Sequence, residues 1–165
     1  MRTLAFLLLL LCSCGQNHRQ NHCWALGYQK TGNAAYDSSK LCYRSADPIN
    51  GIDLEFLHTR GALNLYLTVH AGPIPPYQGN PKQALVIFLI EKEKIECIAA
   101  RHEGGGRLLL PPEIQETLVE TFKKNESVLI QLEGYVAKID PAHFLKNFTK
   151  MQKSTPLDIP FKLGL

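Results

Sequence analysis

The stretch Ala62-Leu63-Asn64-Leu65-Tyr66-Leu67-Thr68-Val69-His70 decides the fold. Leu63, Leu65, Leu67 and Val69 alternate with Asn64, Tyr66, Thr68 and His70. A period of two is the signature of a strand with one buried and one wet face. Upstream, 53–58 reads as a second strand, and Arg60-Gly61 turns the chain between the two. Downstream, the run Gly72-Pro73-Ile74-Pro75-Pro76-Tyr77-Gln78-Gly79-Asn80-Pro81 is a loop, because proline has no N–H to give a ladder. Residues 84–90 are apolar on both faces, which predicts a central strand covered on two sides. Glu91-Lys92-Glu93-Lys94 supplies a charged turn, 95–100 returns as a strand, Gly104-Gly105-Gly106 breaks it, and 107–110 makes a short strand.

Two helices follow. Pro112 suits a first helical turn, with Glu113 and Glu116 near the positive end of the dipole. Ile114, Leu118 and Phe122 recur at four-residue steps with Val119 beside them, and Lys123 and Lys124 close the helix. Residues 127–139 read as one long strand with a bulge or bend at Gly134. Asp140-Pro141 has the pattern of an N-cap followed by proline at the first helical position, and Phe144, Leu145, Phe148 and Met151 form a second apolar face. Pro156 and Pro160 leave the segment 154–165 extended. The sum is an α+β body: a mainly antiparallel β-sheet or sandwich edged by two amphipathic helices.

The composition agrees. Of 165 residues, 45% are hydrophobic and 20% charged, which argues against wholesale disorder. Eighteen Lys and Arg against fifteen Asp and Glu give a formal charge of +3, too mild to mark a nucleic-acid binder by its field. The one long apolar run lies at the N-terminal end, which excludes a chain of several membrane-spanning helices.

That run carries the sharpest motif. Met1-Arg2-Thr3 is a short positive start, 4–11 are apolar, and Leu11-Cys12-Ser13-Cys14-Gly15 follows. Eight apolar residues fall short of the roughly 20 that a membrane-spanning helix needs, but they fit the apolar core of a secretory signal. The segment Leu11-Cys12-Ser13-Cys14 resembles the lipobox of bacterial lipoproteins: a Leu, two small residues, then the Cys that becomes the first residue after cleavage. The resemblance covers about the first fifteen residues, and Cys12 is its one departure. It implies that Cys14 carries a diacylglyceryl thioether and an amide-linked acyl chain, and two or more chains anchor stably where one does not. Gly15 stands where an Asp would signal inner-membrane retention, so the resemblance implies the outer membrane of the cell envelope. A plain secretory signal cut near Ser13 is the alternative. In a eukaryotic secreted protein, Asn125-Glu126-Ser127 and Asn147-Phe148-Thr149 would be glycan acceptors.

The chain then divides into a signal peptide, 1–13; a lipidated polar tether, 14–50; a β-rich globular domain, 51–153; and an extended tail, 154–165. The tether is rich in Asn, Gln, Ser, Gly and Lys and is read as lacking either period. With Cys14 acylated, Cys23, Cys42 and Cys97 permit one bridge and one leftover thiol, and Cys23–Cys42 is the easiest pair, contributing about 3 kcal/mol in the chain-entropy account. Cys97, within Ile95-Glu96-Cys97-Ile98, reads as a small core hydrophobe.

Residues 83–152 resemble the invasion-associated locus B type of bacterial envelope protein in outline: a hairpin, a Gly-rich turn, a short helix, a strand containing Gly and a helix with Phe. Leu109-Leu110-Pro111, Gly134 and Phe144 carry the likeness. It concerns fold and implies no active residue.

Three functional readings remain. The first is a non-enzymatic, lipid-anchored envelope protein that presents its domain to a protein or envelope partner. Its surfaces are the stiff 73–77 loop, with Pro-x-x-Pro spacing, and an anion-binding loop in which Arg101, His102 and Arg107 flank Gly104, Gly105 and Gly106. The second is a cell-wall hydrolase using His102 with Glu103 or Glu133, which requires His70, His102, Glu103 and Glu133 to converge. A glycosidase would instead pair two carboxylates, for which Glu55 and Glu133 are the candidates. The third is a carrier of a small apolar ligand between sheet and helices. No catalytic residue, metal or cofactor is expected. The sets His18, His22 and Cys23, and His58, His70 and His102, read as tether and framework before they read as zinc ligands. The glycine run lacks the Gly-Lys-Ser/Thr of a P-loop.

Overall fold

The alternating stretch is half of a hairpin, and the rest of the sheet is laid out from it. In the computed structural model, which describes residues 24–33, 36–59 and 62–154, β3 (Ile52–Thr59) pairs antiparallel with β4 (Ala62–Val69), setting Phe56 across from Leu65 and Leu54 across from Leu67. These four side chains are fully buried, while Asn64, Tyr66 and Thr68 face outward. The signal segment, Cys14, His18, His22, Cys23, the Arg60-Gly61 turn and the tail from 155 lie outside the described residues.

Two further strands precede this hairpin. β1 (Trp24–Gln29) and β2 (Ser38–Tyr43) join the sheet through β3. The strands over 24–29 and 38–43, expected to be tether, are therefore part of the folded body. Their period of two was masked because polar Ser39 takes a buried inward position while Ala25, Gly27 and Cys42 take outward ones; Trp24, Leu26, Leu41 and Tyr43 face the core, and Lys40 and Gln29 face solvent. After the proline loop, β5 (Gln83–Ile90) pairs with β6 (Glu93–Arg101), and β6 reaches β4 through the short β7 (Arg107–Leu109). β8 (Val128–Leu132) and β9 (Tyr135–Ile139) complete the other side. The order is β1-β2-β3-β4-β7-β6-β5-β8-β9 in one sheet, with every pairing antiparallel. The described strands thus belong to one sheet rather than to two stacked ones.

The expected long strand over 127–139 is a hairpin. Leu132 faces Tyr135 across the turn, and Gly134 holds φ +81°, a left-handed conformation open to glycine at little cost. The sheet curls until its ends face each other. Trp24 Nε1 donates to the Asp140 carbonyl at 2.9 Å, and Tyr43 Oη donates to the Lys138 carbonyl at 3.5 Å.

Both helices fill the concave side. In α1 (Pro112–Lys123) the expected stripe of Ile114, Leu118, Val119 and Phe122 is buried. α2 (Phe144–Ser154) starts later than Asp140-Pro141 suggests. Asp140 Oδ1 accepts the Ala142 N–H at 2.8 Å and caps a turn, and His143 at φ +68° ends that turn before the helix begins. Phe144, Phe148 and Met151 share one face and are buried, whereas Leu145, about 100° around the helix from Phe144, is exposed and drops out of the expected face. Trp24 is the hub: its ring centroid lies 4.9 Å from Phe144, 5.2 Å from Phe122, 5.4 Å from Tyr43 and 5.8 Å from Phe56. The space between sheet and helices, where a carried ligand would lie, is occupied by these rings.

Candidate functional site

The central strand explains where the surface is unusual. β5 buries Ala84, Val86 and Phe88 on the concave face, as its apolar character predicts. Its other face carries Leu85, Ile87 and Leu89, and these are only half-buried. No second layer covers them among the described residues. The proline loop does so in part. Between that loop and the outer face of β5, β8 and β9 lies a cleft of about 590 Å3, walled by Pro75, Pro76, Tyr77, Leu85, Ile87 and Val136, with Gln78, Gln131 and Glu133 among its polar side chains. Val136 is 62% exposed. A larger depression, about 790 Å3, runs between the β5–β6 turn and α1, but Glu91, Lys92, Glu93, Glu120, Lys124 and Glu126 make it a charged, solvated surface.

The loop is held, not loose. Ile74 is buried at its start, and the Ile74 N–H donates to the Gly105 carbonyl at 2.9 Å. Arg101 Nε donates to the Ile74 carbonyl at 2.8 Å while Nη1 donates to the Pro81 carbonyl at 3.0 Å. One guanidinium thereby ties both ends of the loop together. The tip closes by a Tyr77–Asn80 bridge around Gln78 and Gly79, both with positive φ. At the root, Tyr135 Oη donates to the Gly72 carbonyl at 2.8 Å.

This arrangement also accounts for the glycine run. Gly105 has φ +71°, and a Cβ there would stand 2.0 Å from the Arg101 guanidinium, so the backbone must lie bare beneath that side chain. The six residues read as an anion loop are brought together at the β6–β7 turn, but their charges have internal partners. Arg101 is directed to the proline loop. Arg107 Nη2 donates to Glu55 Oε1 at 2.7 Å, and its guanidinium carbon lies 4.0 Å from the Tyr66 ring centroid. His102 lies 5.7 Å from Tyr66 between ring centroids, and its N–H donates to the Arg107 carbonyl.

The residues proposed for acid–base chemistry fall in separate places. His70 Nε2 is 3.0 Å from Asp53 Oδ1, and its Nδ1 is 2.8 Å from the Asp47 carbonyl oxygen. Asp53 is buried, paired with Arg44 through Oδ2 and accepting the Ser45 N–H. Asp47 Oδ1 accepts the Ile49 and Asn50 N–H groups, and these bonds hold its carboxyl below the usual carboxylate range. The cluster clasps the β2–β3 connection. Glu55 is paired with Arg107 and Lys40, whereas Glu133 lies on the cleft wall. Among the described residues, no hydrogen bond or ion pair joins any two of His70, His102, Glu103 and Glu133, and no three His, Cys, Asp or Glu are grouped to hold a metal.

Cys42 is a free thiol in this structure, buried, with Sγ donating to Glu55 Oε2 at 3.5 Å; the Cys23 expected to bridge it lies outside the described residues. Burial, then the Glu55 charge, pushes the Cys42 thiol up to about 11. Cys97 packs partly buried against the core, and burial pushes it up to about 12. Sequence reasoning missed the Arg101 clamp, which reaches back 20 and 27 residues, and the Asp53 cluster, which needs the turn before β3 and the end of β4 brought together.

Comparison with protein-family models, with curated proteins and with solved structures finds no match for this chain.

Proposed function

We propose that the chain is a lipid-anchored protein of the bacterial cell envelope, held on the outer membrane through Cys14, whose domain binds an envelope protein without performing chemistry on it. The anchor rests on the lipobox-like Leu11-Cys12-Ser13-Cys14 and the short apolar run before it.

The observation that carries the binding reading is the apolar cleft beneath the clamped proline loop. Leu85, Ile87 and Val136 are apolar side chains on the outside of a sheet, where polar residues are the ordinary choice. The wall opposite them is fixed by Arg101, so docking an extended segment there costs little ordering entropy. Gln131 and Glu133 offer polar partners for that segment's backbone.

Two experiments test the two halves. Growth with a palmitate analogue labels the parent and leaves Cys14→Ser unlabelled; an unlabelled parent removes the anchor. A photo-cross-linking residue at Val136, in intact cells, gives one discrete protein adduct. The adduct is lost when Ile87→Asp is added and is not formed from Ala100, on the outward side of β6. No adduct from Val136, or the same adducts from both positions, overturns the binding reading.

A further inference from the structure

The excess charge of the chain is concentrated on α2. This helix holds three lysines, Lys146, Lys150 and Lys153, and no Asp or Glu. The fifteen basic residues elsewhere in the chain match its fifteen acidic ones. All three lysines are exposed. At about 100° per residue, positions i, i+4 and i+7 fall within about 60° of one another, and the stripe they form lies opposite the buried Phe144, Phe148 and Met151. We propose that this stripe rests against the headgroups of an anionic lipid bilayer, the one to which the chain is anchored.

The neighbours of α2 do not cancel the stripe. The helix packs against β1, β2 and α1. β1 and β2 carry no acidic residue. On α1, Glu120 is paired with Lys123 at 2.7 Å, and the Lys123 ammonium lies 6.0 Å from the Phe148 ring centroid, so a fourth cation stands beside the helix. Glu116 lines the groove between the two helices, together with Phe148 and Gln152, on the flank of α2 and not on the lysine stripe. A basic amphipathic helix is the pattern of a membrane-surface contact. Here the apolar face is already occupied by the core, so the helix does not sink into the acyl layer. The contact is electrostatic, with the exposed Leu145 at its margin.

The choice of a bilayer over another polyanion rests on the anchor proposed above. Asn147 Nδ2 donates to the Trp24 carbonyl at 2.7 Å, so the described chain begins beside the first turns of α2. Cys14 stands ten residues before Trp24, which allows at most about 36 Å between them at about 3.6 Å per residue. The helix with the excess charge is thus the one bonded to the residue where the anchored segment meets the domain. Attraction to an anionic surface falls off within a Debye length of about 8–10 Å, so it acts on a face held close to the bilayer and is weakened by salt. The proposed cleft plays no part in this inference.

Vesicle partitioning tests it with the full chain carrying Cys14→Ser, so that no acyl chain contributes. Phosphatidylcholine vesicles are compared, at low salt, with vesicles of equal parts phosphatidylcholine and phosphatidylglycerol. The ratio of the two partition coefficients cancels whatever the apolar residues 4–11 add. That ratio should be about tenfold or more in favour of the anionic vesicles. Lys146→Gln with Lys153→Gln should lower it severalfold, at about fivefold for each lysine near a charged surface. Lys82→Gln with Lys92→Gln removes the same charge from exposed positions away from α2 and should keep the ratio of the unsubstituted lysines. A ratio near one before any lysine is changed overturns the proposal. So does an equal loss in the two double variants, which would report net charge alone, or no loss in the α2 variant. The anchor fails separately: an unlabelled parent in the palmitate experiment leaves this ratio as it is, and a ratio near one leaves the palmitate label as it is.

Discussion

Arg101 shows how much one side chain does in this molecule. It closes the proline loop by donating to the carbonyls of Ile74 and Pro81, and it lies over the left-handed backbone of Gly105. Gly105→Ala should cost about 1–3 kcal/mol, through the left-handed backbone and the displaced guanidinium. Faster exchange at the Ile74 amide is the expected local sign, and unchanged exchange and melting temperature would refute it. Asp53 is a buried carboxylate with three partners. Asp53→Asn weakens its bonds to Arg44, Ser45 and His70 together and should lower unfolding stability by about 2 kcal/mol in urea titration.

The two thiols have raised values, so the folded state disfavours their ionisation. Their contribution to stability is complete below the unfolded value of 9.0 and is lost as pH rises from there toward about 11 for Cys42 and about 12 for Cys97. At neutral pH both should react with iodoacetamide far more slowly than in the urea-unfolded chain, as read by residue-resolved mass spectrometry. Equal rates in the two states would contradict the burial described. Asp47 has the opposite sign: its carboxyl is held below 3.8, so its stabilisation is present above that pH and fades as pH falls through the lower folded value.

At the scale of elements, β1 and β2 separate two pictures of the region before residue 50. If it were only a spacer, Leu41→Ala would have no effect on folding. Since Leu41 is fully buried opposite Leu26 and Phe56, the substitution should cost about 3 kcal/mol, measured as a shift of the urea midpoint with unchanged slope. These strands were hard to read because polar Ser39 serves on the buried inward face while Ala25, Gly27 and Cys42 occupy outward positions. β4, with four aliphatics in alternation, was legible at once. The helices were legible for a related reason: Ile114, Leu118 and Phe122 keep a four-residue step that only a helix turns into one face. The start of α2 was not, since Asp140-Pro141 has the composition of a helix cap and His143 alone, at φ +68°, delays the helix.

At the scale of the molecule, the curled sheet closes around one aromatic hub. Trp24, Phe56, Phe122, Phe144 and Phe148 come from two strands and two helices, so they lock elements that local sequence cannot relate. Phe144→Ala should cost about 4 kcal/mol and flatten the near-ultraviolet circular dichroism of Trp24 while the sheet signal persists at low temperature.

The amino-acid order settled what local physics can settle. Alternation marked most strands, a four-residue step marked the helices, proline marked the loop, and these gave the α+β class with antiparallel strands. The cleft needed the fold, though its two halves were each visible as a proline run and a strand apolar on both faces. Nothing local says that a guanidinium at 101 reaches back to 74 and 81, or that β7 joins β4 to β6. Such contacts depend on where a twisting sheet brings distant segments, and that is set by the sum of burial over the whole chain rather than by the preferences of any one stretch.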